Sequence, residues 1–297
     1  MDRRQFGRGA VALVALGSVA RALAGDDHAQ KSWGQKWQAI EAQVGGRLGV
    51  AVLDTGTGEL VGHRLDERFA MCSTFKALVA GLVLARVDAG QERLDRRVMV
   101  APADVLEWAP VTRKHVGATM SLAELCDAAI TQSDNTAANL LLANLGGPPA
   151  VTAFARKLGD AVTRLDRTEP AMNDVQGGDP RDTSTPRAMA ATLRTLALGD
   201  ALSAAGRAQL VAWMTANAVG AGRLRAGLPS DWRVADKTGT SNDLGIANDM
   251  GVLWPPHRAP LVVVSYLCEC KAPADARDRA LADVARVIAG AGWTPAS

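Results

Sequence analysis

Ser73–Lys76 reads Ser-Thr-Phe-Lys, and the rest of this chain is best interpreted from that segment. A serine three residues before a lysine is common, and most such pairs are a helix cap followed by a surface lysine. On a helix, however, residues three apart lie on one face, so both side chains can share a site. A serine hydroxyl is a weak nucleophile until a neighbouring group takes its proton. The spacing makes Ser73 a candidate nucleophile with Lys76 as its neighbour.

Two further motifs follow Ser73 along the chain. They are Ser133–Asn135, which reads Ser-Asp-Asn, and Lys237–Gly239, which reads Lys-Thr-Gly. Together with Ser73–Lys76 they match, in order, the motifs of proteins in which a β-lactam acylates a serine. A fourth segment, Glu169–Asn173, lies between the second and third motifs. It separates an enzyme that releases the acyl group from one that keeps it, because release needs a base for the attacking water.

On these motifs the chain resembles the class A serine β-lactamases, from about Trp33 to about Trp293. The resemblance implies that Ser73 is acylated and that Ser133 relays a proton to the β-lactam nitrogen as the ring opens. It implies that Asn135 donates a hydrogen bond to the side-chain amide of the substrate. Asp134 is expected to hold the turn rather than to contact substrate, and the segment also has the composition of a helix cap.

The resemblance places the Lys-Thr-Gly segment on a strand that faces the cleft. Lys237 then offers positive charge, and Thr238 a hydroxyl, to the carboxylate of the substrate. Gly239 keeps the strand surface open so that the ligand can approach the backbone. The backbone N–H groups of Ser73 and Thr240 would together hold the oxyanion that forms during acylation. The alternative is an ordinary edge strand with a solvated lysine.

Residues 164–183 form a polar segment rich in Asp, Arg, Gly and Pro. A loop of this length inside a compact domain is usually functional. The resemblance makes Glu169 the general base that activates the hydrolytic water, and Asn173 the residue that orients this water. For the attack by Ser73, the proton acceptor is either Lys76 or Glu169, and the motifs do not choose between them.

Two structural features of this loop also follow from the resemblance. Arg167 and Asp182 are expected to form an ion pair across the neck of the loop. If that pair is partly buried, its loss would cost several kcal/mol, roughly 3–5. The Glu169-Pro170 peptide bond is expected to be cis.

Recognition of the substrate carboxylate differs among members of the family. Many relatives carry an arginine on the strand after Lys-Thr-Gly, and we align that position with Ile246. In a subset of the family an arginine in the helix-to-strand connection substitutes, and Arg223 matches that arginine. A guanidinium suits the planar carboxylate, whereas the alternative is a solvated arginine. Trp108 matches an aromatic residue at the rim of the cleft; the alternative is a partly buried core tryptophan.

The chain has four cysteines, which are Cys72, Cys126, Cys268 and Cys270. They allow three complete pairings, and we expect buried free thiols. Cys72 precedes the nucleophile as in class A carbapenemases, but the position of its partner there is Ser241, so that bridge cannot form. The disulfide of narrow-spectrum penicillinases is also expected to be absent, because Ala80 stands where the partner of Cys126 would be.

Composition excludes several other classes of function. The 297 residues carry 33 basic and 31 acidic side chains, a net charge of +2, and no block of like charge. With only 4% aromatic residues, the chain offers no stacking platform for nucleic acid. The scattered histidines do not have the spacing of a zinc β-lactamase. We expect a monomer with a small-molecule β-lactam as its partner and with neither metal nor cofactor. The histidines are His28, His63, His115 and His257.

The first residues have the composition of a targeting segment. Arg3–Phe6 is basic, Gly9–Ala20 is small and apolar, and Ala22–Ala24 matches a small-x-small cleavage site. We interpret residues 1–24 as a cleavable signal that resembles the twin-arginine type; the alternative is an ordinary secretory signal. Either signal places the mature protein in the periplasm without a stable membrane anchor.

The hydrophobic pattern predicts an α+β fold, with strands near both ends and helices between them. We assign residues 25–68 and 216–297 to an α/β lobe and residues 69–215 to an all-helical lobe. The resemblance implies a β-lactamase/transpeptidase-like architecture, in which a five-stranded antiparallel sheet flanked by helices joins the helical lobe. The predicted strands are Arg47–Asp54, Glu59–Arg64, Arg233–Gly239, Asn248–Trp254 and Leu261–Lys271.

Other functions share the three motifs. A penicillin-binding transpeptidase or carboxypeptidase lacks a Glu-x-x-x-Asn loop of this kind and usually keeps a membrane anchor. A β-lactam sensor domain stays acylated and needs transmembrane helices to signal. We therefore predict a β-lactam hydrolase that confers resistance. Its predicted substrates are penicillins and cephalosporins, including some bulky ones in view of Ser241.

Overall fold

The computed structural model describes residues 33–291, which are built around a five-stranded antiparallel sheet. In chain order the strands are β1 (Arg47–Asp54), β2 (Leu60–His63), β3 (Phe69–Ala70), β4 (Arg97–Met99), β5 (Thr119–Ser121), β6 (Thr183–Ser184), β7 (Arg233–Ser241), β8 (Ile246–Trp254) and β9 (Leu261–Cys268). The strand order in the sheet is β2-β1-β9-β8-β7, so strands from both ends of the chain are neighbours. This arrangement confirms the predicted α+β fold.

Alternate residues of the central strands face two separate hydrophobic cores. On β1, Val50 and Val52 enter the smaller core, whereas Ala51 between them enters the larger one. On β9, Val263 belongs to the smaller core and Val262 to the larger one. Successive side chains of a strand point to opposite faces, so a sheet covered on both sides is apolar at nearly every position.

Helices cover both faces of the sheet and make up most of the middle of the chain. The helices are α1 (residues 33–44), α2 (Phe75–Asp88), α3 (Leu122–Thr131), α4 (Asn135–Leu145), α5 (Pro148–Lys157), α6 (Pro186–Ala197), α7 (Ala204–Thr215), α8 (Leu224–Gly227) and α9 (Ala274–Ala289). The smaller core lies under α1 and α9, where Trp37 and Leu281 are fully buried. In the larger core, α2 is buried along Phe75–Leu84, as expected for a helix surrounded by others.

Side-chain caps mark where four helices in the middle of the chain begin, namely α3, α4, α6 and α7. At α3 the Glu124 backbone N–H donates to Ser121 Oγ over 3.2 Å, and the Ser121 N–H donates to Glu124 Oε2 over 2.6 Å. This reciprocal pair is a capping box, and it satisfies N–H groups that have no partner within the helix. At α6 the Thr185 hydroxyl accepts from the Ala188 N–H over 3.2 Å.

The boundaries of four strands differ from the sequence prediction. β2 spans Leu60–His63 rather than Glu59–Arg64. β7 continues to Ser241, β8 begins at Ile246, and β9 ends at Cys268 rather than Lys271. Two small antiparallel pairs, β3 with β6 and β4 with β5, were not predicted. Strands of two or three residues are too short to show the alternation of apolar and polar residues that predicts a strand. They are recognised only by their hydrogen bonds to a strand distant in the sequence. The pairing of β3 with β6 matters for the site, since it joins the segment before Ser73 to the end of the polar loop.

The predicted signal segment, residues 1–24, lies outside the described residues. Within residues 33–291, no helix is both long enough and apolar enough to cross a bilayer.

Candidate active site

The candidate nucleophile lies on a tight turn that leads into the most buried helix. Cys72–Thr74 forms a single 3₁₀ turn, and α2 begins immediately after it at Phe75. Ser73 therefore lies just before α2, whereas the spacing argument placed Ser73 and Lys76 on one helix. Lys76 is in the first turn of α2 and is fully buried. The 3₁₀ turn brings Ser73 to the floor of a cleft between the sheet and the helical segment.

The Ser-Asp-Asn segment meets Lys76 from the side of the helical segment. Lys76 Nζ donates to Asn135 Oδ1 over 2.6 Å and to the Ser133 carbonyl oxygen over 2.8 Å. Ser133 has a φ of 55°, in the left-handed region that non-glycine residues rarely adopt. Such strain costs about 1–3 kcal/mol and is found mainly where function requires the conformation. This backbone conformation directs the Ser133 carbonyl oxygen toward Lys76 and the Ser133 hydroxyl toward both Lys76 and Lys237.

Asp134 is a structural residue, in agreement with the sequence interpretation. It is fully buried and caps α4 by accepting the Ala137 N–H over 2.9 Å. Its carboxylate also accepts the N–H groups of Val111 and Thr112, over 3.0 and 2.9 Å. A buried carboxylate with several donors is stable only where those donors stay in place. Asp134 therefore fixes the Ser133–Asn135 segment to the neighbouring loop.

Glu169 lies beneath Ser73, the candidate nucleophile. Its Oε1 is 3.4 Å from Ser73 Oγ and 3.3 Å from Lys76 Nζ, and its Oε2 accepts from Asn173 Nδ2 over 2.5 Å. Burial lowers the pKa of Lys76 below its ordinary value, and the charge of Glu169 opposes that shift. The Glu169-Pro170 peptide is cis, as predicted.

The neck of the polar loop is closed by the predicted ion pair. Arg167 Nε donates to Asp182 Oδ2 over 2.6 Å. Asp182 Oδ1 accepts the backbone N–H groups of Asp166 and Arg167 over 2.7 and 3.0 Å. Because the Asp182 side chain is fully buried and that of Arg167 is 19% exposed, the pair is largely shielded from water. This single carboxylate therefore ties both ends of the segment that carries Glu169.

The Lys-Thr-Gly segment lies on β7, at the edge of the sheet that borders the cleft. Lys237 Nζ donates to Ser133 Oγ over 3.1 Å, which joins β7 to the helical segment. Burial, and next the charge of Lys76, hold the pKa of Lys237 well below its ordinary value. A Cβ on Gly239 would lie 2.7 Å from the Met71 carbonyl oxygen and 3.1 Å from the Ser73 nitrogen. Only a glycine at position 239 therefore lets β7 lie this close to the backbone of Met71 and Ser73.

Arg223 uses most of its hydrogen-bond donors within the protein, which the sequence did not predict. Its Nε donates to Asp278 Oδ1 over 2.7 Å, and an Nη2 hydrogen is donated to Thr240 Oγ1 over 2.7 Å. Its Nη1 donates to the carbonyl oxygens of Gly239 and Asn248 over 2.9 and 2.8 Å. One of its five N–H groups has no such bond, so a direct contact with a substrate carboxylate is limited to that group.

The remaining predicted carboxylate contacts occupy the same wall of the cleft. The Thr238 hydroxyl donates to the Val219 carbonyl oxygen over 3.0 Å. Ile246 is buried in the larger core and pairs with Ser241, whereas Ala247 is the residue opposite Thr240. Ile246 thus points away from the cleft, and Ala247 is the β8 position nearest to the predicted carboxylate site. Our alignment of Ile246 with the arginine of relatives is therefore displaced by one residue.

Trp108 lies at the rim of the cleft and is 54% exposed, so the alternative of a core tryptophan is wrong. Its backbone and ring are both held: the carbonyl oxygen accepts the Asn135 N–H over 3.0 Å, and Nε1 donates to the Gln132 carbonyl oxygen over 3.2 Å. The ring therefore stays at the rim even though one face meets solvent.

One cleft of about 410 Å³ collects the residues singled out from the sequence. Lys76, Glu169 and Lys237 lie buried beneath it. A larger cavity of about 660 Å³ lies behind residues 175–179, but it is lined by none of the predicted site residues. Within residues 33–291, no group of His, Cys, Asp and Glu has the geometry of a metal site. The predicted residues that line the cleft are Ser73, Trp108, Ser133, Asn135, Asn173, Arg223, Thr238, Gly239 and Thr240.

Comparison with known proteins agrees with this geometry. The β-lactamase enzyme family model matches residues 33–291. A solved ancestral class A β-lactamase (GNCA) is 62% identical, with a TM-score of 0.85 over 86% of this chain and 98% of that one. The chain belongs to the class A serine β-lactamases. It is therefore a hydrolase of β-lactams.

Relatives of this β-lactamase extend over most of its length. β-Lactamase CTX-M-8 of Citrobacter amalonaticus is 50% identical over 254 residues, which are 86% of this chain and 87% of that protein. β-Lactamase Toho-1 of Escherichia coli is 50% identical over 262 residues, which are 88% of this chain and 90% of that protein.

The four cysteines of this β-lactamase are buried and carry free thiols. Cys126 and Ala80 both lie in the larger core, where a second cysteine would be needed for the penicillinase disulfide. Cys72 is buried against Gly239, and burial raises the pKa of its thiol. Although it adjoins Ser73, Cys72 is therefore a poor nucleophile, because the thiolate is the reactive form.

Two polar residues of the site, Asn139 and Asp278, were not predicted from the sequence of this β-lactamase. Asn139 Nδ2 donates to the Glu169 carbonyl oxygen over 2.8 Å, and Asn139 Oδ1 accepts the Glu169 N–H over 3.0 Å. Asn139 lies four residues after Asn135 on α4, so helical spacing from the Ser-Asp-Asn motif was an available signal. Asp278, the partner of Arg223, carries no such signal because the two residues are 55 positions apart.

Proposed function

We propose that this β-lactamase hydrolyses penicillins and cephalosporins through an acyl-enzyme on Ser73, which a water activated by Glu169 then releases. One observation carries the proposal: the buried Glu169 carboxylate contacts Ser73, Lys76 and Asn173 together. A protein that only becomes acylated has no need of a base at this place.

Acylation begins with attack of Ser73 Oγ on the β-lactam carbonyl carbon. The proton of the hydroxyl passes to Glu169 or Lys76, whose polar atoms lie 3.3 Å apart. The lowered pKa of Lys76 eases its loss of a proton before it accepts one. The oxyanion is held by the N–H groups of Ser73 and Thr240, which is the arrangement that stabilises such intermediates most.

Ring opening requires a proton on the departing nitrogen. Ser133 Oγ is the donor in this proposal, because it is within 3.1 Å of Lys237 Nζ and 3.4 Å of Lys76 Nζ. Either lysine can return a proton to the hydroxyl once it has been given up. The two lowered pKa values make these ammonium groups better acids than free lysine.

Deacylation uses Glu169 as general base for a water that attacks the ester carbonyl. Asn173 donates to Glu169 Oε2, while its own Oδ1 is buried and has no partner among residues 33–291. That oxygen can therefore accept a hydrogen bond from the attacking water, and Glu169 can take its proton. Asn139 holds the backbone of Glu169 through two bonds, so the position of the base is fixed.

Substrate binding in this proposal uses both walls of the cleft. Asn135 donates to the side-chain amide of the substrate, and Trp108 packs against it at the rim. Lys237 and Thr240 bind the carboxylate, for which the buried lysine provides charge and Thr240 provides a hydroxyl. The Thr238 hydroxyl joins them once it turns from the Val219 carbonyl oxygen, to which it donates over 3.0 Å in this structure. Arg223 acts at the same carboxylate, directly through one N–H and indirectly through the Thr240 hydroxyl that it contacts.

Replacement of Arg223 by alanine should raise KM for benzylpenicillin about 10- to 100-fold, with a smaller change in kcat. A charge-assisted hydrogen bond contributes about 1.5–3 kcal/mol, which corresponds to that range. Steady-state kinetics measures both constants. The companion variant Asp278→Asn keeps the arginine and should change KM much less. An unchanged KM in Arg223→Ala would show that Arg223 only supports the strand.

The cellular setting belongs to the same proposal. We infer that residues 1–24 are removed during export to the periplasm, by the twin-arginine route, and that the mature protein is a monomer. We retain residues 25–68 with 216–297, and residues 69–215, as its two lobes. Free thiols are compatible with folding in a reducing compartment before export. The missing partner for Cys72 at Ser241 argues against a dedicated carbapenemase.

Mass spectrometry with excess benzylpenicillin, sampled over seconds to minutes, tests the proposal. An unmodified protein mass together with accumulating penicilloate is the expected result. A penicilloyl adduct on Ser73 that persists would instead identify a penicillin-binding transpeptidase or a sensor. Comparable turnover of a cephalosporin is also expected, and slow cephalosporin turnover alone would overturn the predicted substrate range.

A further inference from the structure

The turn that carries Ser73 is held in an unfavourable conformation. Cys72, the residue immediately before it, has a φ of 43°, in the left-handed region that residues with a side chain rarely adopt. Such a conformation persists only where the surroundings determine it. One restraint comes from the polar loop, since the Met71 N–H donates to the Asp182 carbonyl oxygen over 3.0 Å.

The second restraint on this turn comes from the sheet, through Asn248 of β8. Asn248 Nδ2 donates to the Ala70 carbonyl oxygen over 2.8 Å and to the Met71 carbonyl oxygen over 3.1 Å. Its side chain is fully buried, and its Oδ1 has no partner among the described residues. Both of its amide hydrogens are thus committed to the two carbonyl groups that precede Cys72.

The position of Asn248 in the sheet links this restraint to the oxyanion site. Asn248 is paired with Gly239 across β8 and β7, and the Asn248 carbonyl oxygen accepts from Arg223. A Cβ on Gly239 would approach Met71 and Ser73 within 2.7 and 3.1 Å, so β7 and the turn are already in close contact. Asn248 therefore holds the turn against the strand at the point of closest approach.

This junction sets the spacing of the two oxyanion donors. The Ser73 N–H belongs to the turn, whereas the Thr240 N–H belongs to β7, one residue beyond Gly239. An error of about 1 Å in such a site can cost 10²-fold in rate. Donors stabilise an oxyanion only when both reach the position that it will occupy.

We infer that Asn248 is a positioning residue for acylation. Its amide binds the two residues that lead into the turn carrying Ser73 and holds that turn against β7. It thereby fixes the separation of the Ser73 and Thr240 N–H groups. This inference rests on the proposed function, in which those two groups bind the oxyanion. Asn248 does not touch the reacting atoms. It acts through the backbone that carries them.

The test replaces Asn248 by leucine, which has a similar shape and cannot donate. We expect the rate of acylation by benzylpenicillin to fall about 10- to 100-fold. The affinity for benzeneboronic acid, which forms a tetrahedral adduct with the serine oxygen, should fall by a similar factor. The affinity for penicilloate, which binds without that geometry, should change little. All assays are made below the unfolding transition of the variant, so that only folded protein is compared.

Two further variants serve as controls for Asn248→Leu. Ser265→Ala removes a buried hydroxyl from the adjacent strand β9 that has no hydrogen-bond partner among the described residues, and it should leave acylation unchanged. Asn248→Asp is nearly isosteric and replaces Asn248→Leu if the latter does not fold. Burial raises the pKa of a carboxyl group, and the protonated form has one hydrogen to donate where the amide has two, so acylation by this variant should recover in part as the pH falls.

Wild-type acylation and boronate affinity in a folded Asn248→Leu variant would overturn the inference. A loss of melting temperature with both constants intact would show a merely structural role, and would overturn it equally. The proposed function fails differently: the wild-type protein would then either form no acyl-enzyme on Ser73 or keep the penicilloyl adduct without releasing penicilloate.

Discussion

Glu169→Ala should lower steady-state turnover of benzylpenicillin by about 10²- to 10⁴-fold, the usual contribution of a general base. Acylation should remain detectable, so a penicilloyl adduct on Ser73 should accumulate. The reason is electrostatic: the charge of Glu169 raises the pKa of Lys76, and its removal lets that pKa fall further. Lys76 then loses its proton more readily and can serve as the acceptor for Ser73. Intact-protein mass spectrometry with stopped-flow kinetics measures both steps.

The matched control is Glu169→Gln, which preserves size and a hydrogen-bonding oxygen but cannot take a proton. It should stall at the same adduct if Glu169 acts as a base. If Glu169→Gln turns over normally, the carboxylate is not the base for deacylation. If neither variant is acylated, Glu169 rather than Lys76 accepts the Ser73 proton, and the two candidates for the acylation base are separated.

Asp182→Ala should destabilise the protein by about 3 kcal/mol, the low end of the range for breaking a buried ion pair. The low end applies because Arg167 keeps 19% of its side chain exposed, whereas Asp182 is fully buried. The variant also loses the acceptor for the N–H groups of Asp166 and Arg167. Urea denaturation measures the free energy of unfolding, and kcat should fall as well because the loop carries Glu169.

Asp179→Asn is the control on the same loop. Asp179 pairs with Arg181, whose side chain is 52% exposed, and reaches Arg167 only over 3.8 Å, so its ion pairs are weaker than that of the fully buried Asp182. A loss of stability as large as that of Asp182→Ala would contradict the role given to burial. An unchanged kcat in folded Asp182→Ala would show that the loop keeps Glu169 in place without this neck.

Local patterns carried most of what the sequence predicted. Strands Arg47–Asp54 and Leu261–Cys268 are mostly apolar, and helix α3 begins with a capping box that can be read directly from Ser121 and Glu124. Such features depend on neighbours within a few positions, so one sequence is enough to find them.

Contacts between residues far apart in the chain were harder to predict from the sequence. The resemblance to a family brought the motif residues together, but it did not reveal that Arg223 donates to two backbone carbonyl groups or that Asp278 is its counter-ion. Asn248 and Met71 are 177 positions apart, and an asparagine within an apolar strand shows no partner until the strand is placed beneath the turn. The geometry of packing, rather than any local preference, determines these bonds.

The burial of all four thiols gives this protein a set of internal reporters of its own motion. Cys72, Cys126 and Cys268 lie in the larger core and Cys270 in the smaller one. An alkylating reagent can reach each sulfur only when the surrounding structure opens. The rate at which each cysteine is labelled therefore measures how often its own part of the molecule opens, without any introduced probe. Labelling under increasing denaturant would show whether the two faces of the sheet come apart together or one before the other.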